Sequence, residues 1–260
     1  MRSTGWLLIF SVLLAACNAN SPENRFLLAE RLLENKKYDA AISEFQEIVD
    51  RAPNSSLGIE AQLKVAQIEH LYLGKTKDAA DAYRKFLKRN KDDKRRREIE
   101  RILADLQFQI FENYDDAIVA YKAMLESDPA AAEAPYYLFN IGRALSFKKD
   151  FDAAVKTFLK LIEEHPSSEY APRAKLEIAN TLNMAGKCKE ALKKYDEIIK
   201  NGSGEIKALA AFGQAECYEE LDDLDKAYEV LGTIKKTYPT PAVVDLKMKR
   251  IKRRKILRRR

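Results

Sequence analysis

An alanine returns along this chain at Ala41, Ala79, Ala117, Ala154, Ala191 and Ala227, at intervals of 38, 38, 37, 37 and 36 residues. Four residues after each stand Phe45, Tyr83, Tyr121, Phe158, Tyr195 and Leu231, and seven after stand Ile48, Phe86, Met124, Leu161, Ile198 and Ile234. Offsets of 0, 4 and 7 mark one face of an α-helix. Nine residues before each alanine come Leu32, His70, Phe108, Leu145, Leu182 and Tyr218, beyond polar or glycine-containing breaks such as LGKTK and MAGK. Those breaks place them on a preceding helix, so each unit is a helical hairpin. A small residue fits where the two helices approach most closely, and the larger residues at plus 4 and plus 7 fill the wider gaps. Pro53, Pro129, Pro166 and Pro239 stand twelve residues after four of the alanines, where the lost donor ends the second helix.

The pattern resembles the tetratricopeptide repeat from about Glu23 to Pro239. The resemblance implies an all-α superhelix of about six helical hairpins over residues 25–240. Hairpins stacked in this way bury a continuous core only with neighbours on both sides, so the ends need caps. Val244, Met248 and Ile251 lie on one helical stripe, which predicts a capping helix from 241 to about 252 and a basic tail to 260.

The N-terminus reads MRSTGWLLIFSVLLAAC, with Arg2 ahead of an apolar run too short for a permanent membrane span. This is the layout of a secretory signal over residues 1–16. Leu14, Ala15, Ala16 and Cys17 resemble the lipobox of bacterial lipoproteins, which implies cleavage before Cys17 and acylation of its thiol and amine. Asn18 occupies the position where that family's inner-membrane retention signal has Asp, which favours the outer membrane, with the protein facing the periplasm on a tether of residues 17–24. Several acyl chains, at about 0.8 kcal/mol per buried methylene, give a durable anchor.

Charge is unevenly placed. The last fourteen residues, KMKRIKRRKILRRR, hold ten bases and no acid. Without them and Arg2, 35 of the chain's 46 bases remain against 40 acids, so a mildly acidic body carries a basic appendage. An exported chain does not meet chromosomal DNA, which excludes nucleic acid as partner. The tail, with Arg253, Arg254, Arg258, Arg259 and Arg260, either folds back on acidic residues 216–229 or faces an anionic envelope surface such as phospholipid, lipopolysaccharide or peptidoglycan. A second basic cluster, RKFLKRNKDDKRRR at 84–97, includes Arg95, Arg96 and Arg97.

No enzymatic constellation emerges. His70 fills an apolar slot of the repeat, His165 precedes a helix-ending proline, and neither has metal ligands at suitable spacing. GKT at 74–76 lacks the glycine a phosphate-binding loop requires, since that position is Glu69. No cofactor is expected. Cys188 and Cys217 are equidistant from the NGSG linker at 201–204, on helices expected to pack antiparallel. They form either a disulfide, which an exported protein can keep, or two reduced core thiols.

In the tetratricopeptide family the first helices of successive hairpins line a groove that takes extended peptides. Carried onto the last three hairpins, the resemblance implies a groove of Tyr136, Phe139, Asn140, Arg143, Asn180, Asn183, Phe212 and Glu216. Asn and Arg there would hydrogen-bond a peptide backbone or carboxylate, and the aromatics would form pockets. The turns in EHPSSEYAPRAKLEIA and TYPTPAVVDLKM resemble two envelope families: the lipoprotein of the outer-membrane β-barrel assembly machine and the Tol-Pal-associated cell-division coordinator. Lipid-anchored pilotins of type IV pili are also built from such repeats. The expectation is an outer-membrane-anchored scaffold that binds envelope proteins during assembly. A pilotin-like role in pilus or secretin assembly, and direct binding of envelope polyanions or peptidoglycan, are the alternatives.

Overall fold

The computed structural model describes residues 21–258, so the signal segment, Cys17, Arg259 and Arg260 lie outside the described residues. Among them the regular structure is thirteen α-helices: α1 Pro22–Glu34, α2 Tyr38–Arg51, α3 Ser56–Leu71, α4 Thr76–Arg89, α5 Arg96–Gln109, α6 Tyr114–Ser127, α7 Ala134–Phe147, α8 Phe151–Glu164, α9 Tyr170–Met184, α10 Cys188–Asn201, α11 Gly204–Glu220, α12 Leu224–Ile234 and α13 Pro241–Arg258. The chain is an all-α array of helical hairpins ending in a capping helix. It divides into two compact units, Met1–Leu106 and Gln107–Arg260, with the boundary inside α5. Ile99 of α5 belongs to the core of the first, while Phe108 packs on Tyr114 and Phe147 in the second.

The repeat register maps directly onto burial. All six alanines are fully buried, and so, to within a few per cent of their surface, are the residues at plus 4 and plus 7. Each buried Phe, Leu or Ile contributes roughly 1.5–3 kcal/mol through removal of apolar surface from water. The residues nine before the alanine are only partly buried, apart from Phe108. In the second unit two of the large residues at plus 4 meet a glycine on a neighbouring first helix. A Cβ on Gly142 would lie 2.6 Å from the Phe158 ring, and one on Gly213 would lie 2.5 Å from that of Tyr195.

Every hairpin turns in the same way. Lys36, Gly74, Glu112, Lys149, Gly186 and Asp222, each five residues before its alanine, have φ between 51° and 73°. The next residue's N–H bonds back to the first helix in each case, as in Lys37 to Leu32 O at 2.8 Å and Asp150 to Leu145 O at 2.9 Å. This is the left-handed closure that satisfies the last carbonyls of a helix. Only two of the six positions are glycine, so four turns accept the cost that a Cβ adds in this conformation.

Both ends differ from expectation. Ser21 accepts the N–H of Asn24 at 3.2 Å and Pro22 opens α1, so the first described helix begins at 22 and not at 25. At the other end α13 does not stop near 252 but continues to Arg258. Val244 and Ile251 are fully buried against Ala208, Ala211, Ala215 and Leu231, and Met248 packs beside them. The further turns are held by charge. Arg254 reaches Glu219 at 2.8 Å, Lys255 pairs with Asp225, and Arg258 with Asp222. Of the tail's described bases, Arg254, Lys255 and Arg258 are folded back on acidic residues 216–229.

Candidate interaction surface

In the second unit α7 touches α9, and α9 touches α11, in addition to the packing of each helix on the next in sequence. These first helices form one face, on which Arg143, Asn180 and Asn183 of the expected groove residues make polar contacts. The Arg143 guanidinium lies 4.9 Å from the centre of the Phe108 ring and 5.9 Å from that of Phe139. Its charge acts on Glu177, one turn before Asn180 on α9. Burial pushes the Glu177 carboxyl above the ordinary range, while Arg143 and a bond from Asn180 at 3.5 Å oppose the rise. Tyr195 Oη donates to Asn180 Oδ1 at 2.8 Å. Three residues on, Asn183 Oδ1 accepts from the thiols of Cys188 at 3.3 Å and Cys217 at 3.2 Å. Beneath this network Ser146 and Thr181 share a buried hydrogen bond of 2.8 Å.

Several expected site residues are corrected. Phe139 and Asn140 are buried, and Asn140 donates to Tyr136 O at 3.0 Å, so they support the face from below and do not line a groove. Phe212 stacks on Tyr238 at 4.8 Å, under the ammonium of Lys247. Glu216 accepts from Lys247 at 2.9 Å. The cap therefore occupies the end of the surface assigned to Phe212 and Glu216. Tyr136, Arg143, Asn180 and Asn183 remain partly exposed. Glu177 is the member that the sequence reading missed. It stands fourteen residues before its alanine, the slot that Asn140 fills in the preceding hairpin, and that register could have pointed to it.

Cys188 and Cys217 are free thiols, both buried, on neighbouring helices α10 and α11. Cys188 is also within 2.9 Å of Glu220 Oε2. Burial first, and then the neighbouring Glu220 carboxylate, pushes the Cys188 thiol up; burial likewise raises Cys217 well above the usual thiol range. Neither is poised as a nucleophile.

The basic positions are largely satisfied internally. Arg95, in the first unit, pairs with Glu60 at 2.5 Å and Asp93 at 3.0 Å and lies over Phe86. Its bonds to Asp93 hold that carboxyl below the usual range against a smaller opposing effect of burial. Arg96 pairs with Glu100 at 2.9 Å, and Arg97 is also engaged. Arg254 and Arg258 are consumed by the acidic face of α11 and its turn. Arg253 alone of the described basic set stands exposed without an ion pair. His70 lies edge-on to Tyr83 at 6.1 Å, and His165 closes α8 through its N–H to Leu161 O. Among the described residues no group of three or more His, Cys, Asp or Glu could hold a metal ion, and no helix is long and apolar enough to cross a membrane.

A family profile described as "Tetratricopeptide repeat-like domain" matches residues 112–247, and two further tetratricopeptide-repeat profiles match 68–132 and 23–55. No curated protein matches the chain. Among solved structures it is similar to PilW, titled a widely conserved type IV pilus biogenesis factor, at 18% identity over 82% of this chain and 92% of that one, with a TM-score of 0.53. It is also similar to PilF of Pseudomonas aeruginosa, at 17% identity over 90% and 97% of the two chains and a TM-score of 0.53. A third similarity is to MamA of Desulfovibrio magneticus, at 13% identity over 70% and 94% and a TM-score of 0.52. At such identities the likeness is one of fold.

Proposed function

The chain belongs to the tetratricopeptide-repeat family, whose members are protein–protein interaction scaffolds, and on that premise we propose that it is a non-enzymatic scaffold of cell-envelope assembly, anchored to the outer membrane by acylated Cys17 and serving type IV pilus biogenesis. The scaffold reading is carried by the continuous face of α7, α9 and α11 with Arg143, Glu177, Asn180 and Asn183 on it. A carboxylate, a guanidinium and two amides in one row offer both donors and acceptors to an extended peptide backbone. The pilus assignment draws on the fold likeness to PilW and PilF, and the anchor draws on LLAAC. Barrel assembly is the second reading, favoured by the turn sequences at 164–179 and 237–248.

Affinity purification of the full chain from detergent-solubilised membranes tests the assignment. Pilus or secretin components should be recovered, and the pair of substitutions Arg143→Ala and Asn180→Ala should reduce their recovery at least tenfold, as the loss of two hydrogen-bonding anchors at about 1 kcal/mol each predicts. Recovery unchanged by that pair moves the binding face elsewhere, and barrel-assembly components in place of pilus components select the second reading. Incorporation of labelled palmitate, abolished in Cys17→Ser, reads the anchor separately.

A further inference from the structure

Helix α13 divides its side chains between two faces. Val244 and Ile251 are buried on the inner one, flanked by the ion-paired Lys247, Arg254, Lys255 and Arg258. At 3.6 residues per turn, Val243, Leu246, Lys249, Arg250, Arg253, Ile256 and Leu257 share the outer arc, which spans roughly 140°, with Arg250 near its edge and turned to Glu219. The apolar four expose 44%, 71%, 49% and 60% of their surface respectively. Single exposed apolar residues are ordinary on a protein surface, but four on one face of one helix mark a contact surface. Lys249 and Arg253, with Lys252 at the edge of the arc, make no ion pair among the described residues. The one acid beside them, Asp245, is already neutralised by Lys235 at 2.8 Å.

We propose that the outer face of α13 docks on an anionic phospholipid bilayer, with the helix lying in the interface plane. Charge selects this occupant over a partner helix. Arg253 stands on the stripe between Leu246 and Leu257, so an apolar helix packed there would bury an unpaired guanidinium, at a cost that apolar contact does not repay. At a bilayer the same Arg and Lys stems lie along the apolar stripe and lift their charged ends to the headgroups. A shallow pocket of about 260 Å³ beside the stripe, lined by Tyr228, Lys252, Lys255 and Ile256, offers the unpaired Lys252 ammonium and the Tyr228 phenol to a lipid phosphate, Lys255 being held by Asp225. Helix α13 thus serves as a cap on one side and as an amphipathic basic helix on the other. This contact is separate from the face of α7, α9 and α11; it rests on the proposed function only for bringing the chain to a membrane.

The test uses the full chain reconstituted into phosphatidylglycerol or phosphatidylcholine vesicles, so that anything the N-terminus contributes is common to both. Amine-reactive labelling is read by mass spectrometry at Lys249 and Lys252, with exposed Lys193 of α10 as internal control. Each base near an anionic surface adds about fivefold to partitioning. Labelling of Lys249 and Lys252 should therefore fall at least fivefold in phosphatidylglycerol, stay unchanged in phosphatidylcholine, and recover in about 1 M salt, where the Debye length is about 3 Å. The variant Leu246→Gln, Arg253→Gln, Leu257→Gln alters only exposed side chains and should abolish the protection. Equal labelling in the two vesicles, or protection that survives in the variant, would overturn the proposal. Partner recovery with the Arg143 and Asn180 substitutions is measured independently, so each reading can fail alone.

Discussion

Glu219 is the hub of the cap, and replacing it with Gln should release α13 without unfolding the rest. Its side chain is only 9% exposed, and its carboxylate takes Lys247 at 3.4 Å, Arg250 at 2.8 Å and Arg254 at 2.8 Å. The three bases are unequal. Arg250 and Arg254 are 60% and 40% exposed, so their pairs count as surface pairs of about 0.5 kcal/mol each. Lys247 is 12% exposed, but it keeps Glu216 at 2.9 Å when Glu219 is lost, which limits its share to about 1 kcal/mol. The sum is about 2 kcal/mol, or roughly thirtyfold in the local opening equilibrium. Native-state hydrogen exchange should show that acceleration at the amides of α13, with α7 and α9 unaffected. Asp225→Asn, which removes the partner of Lys255 at a carboxylate 82% exposed, should change exchange by less than about threefold. Acid gives the same reading by another route. Burial alone would raise the Glu219 carboxyl, but the Arg250 bond, the charges of Lys247 and Arg250, and the Arg254 bond outweigh it and hold the group below its ordinary 4.5. A depressed folded-state value means that the stabilisation is complete above 4.5 and is lost as pH falls through the lower folded value. Protection of α13 should therefore be flat from neutral pH to about 4.5 and decline below it, with a shallower decline in Glu219→Gln. Exchange in α13 that is the same in wild type and Glu219→Gln would refute the ion-pair account and leave Val244 and Ile251 as the whole of the docking.

Three further outcomes follow from the packing and the turns. Gly142→Ala drives a Cβ into the Phe158 ring, an overpacking cost of about 2 kcal/mol against a helix gain of about 1 kcal/mol, so urea denaturation should show a net loss of about 1 kcal/mol; a net gain would mean that the ring yields freely. Lys149→Gly relieves a left-handed residue at φ 66° and should stabilise by about 0.5 kcal/mol, the balance of roughly 1 kcal/mol of relieved strain and the added entropy of the unfolded chain, as read in the same assay; destabilisation would mean that the strain is absent. Cys188 and Cys217 should resist iodoacetamide at pH 8 in the native protein and both take the label once it is denatured without reductant; a denatured chain with neither thiol labelled would establish a disulfide.

Much of this was legible in the residues themselves. Positions 0, 4 and 7 of each repeat are local facts of composition and spacing, and their burial follows because an amphipathic helix has one apolar face to hide. The capping stripe of Val244, Met248 and Ile251 was readable for the same reason. The turns were not, because Lys36, Glu112, Lys149 and Asp222 carry no glycine signature; the left-handed conformation is imposed on them by the need to close each first helix against a packed second one. The groove residues could be placed on the first helices but not sorted. Whether Asn140 faces solvent or Tyr136 O, and whether Glu216 is free or held by Lys247, depends on neighbours distant in sequence. The basic tail shows the division most clearly. Ten bases in fourteen residues announce an anionic partner, and their spacing along a helix is already fixed by sequence. Only the fold brings Glu216, Glu219, Asp222 and Asp225 onto the face that α13 covers, because Coulomb attraction depends on distance through space. That contact decides which bases are consumed within the molecule and leaves Lys249, Lys252 and Arg253 pointing outward.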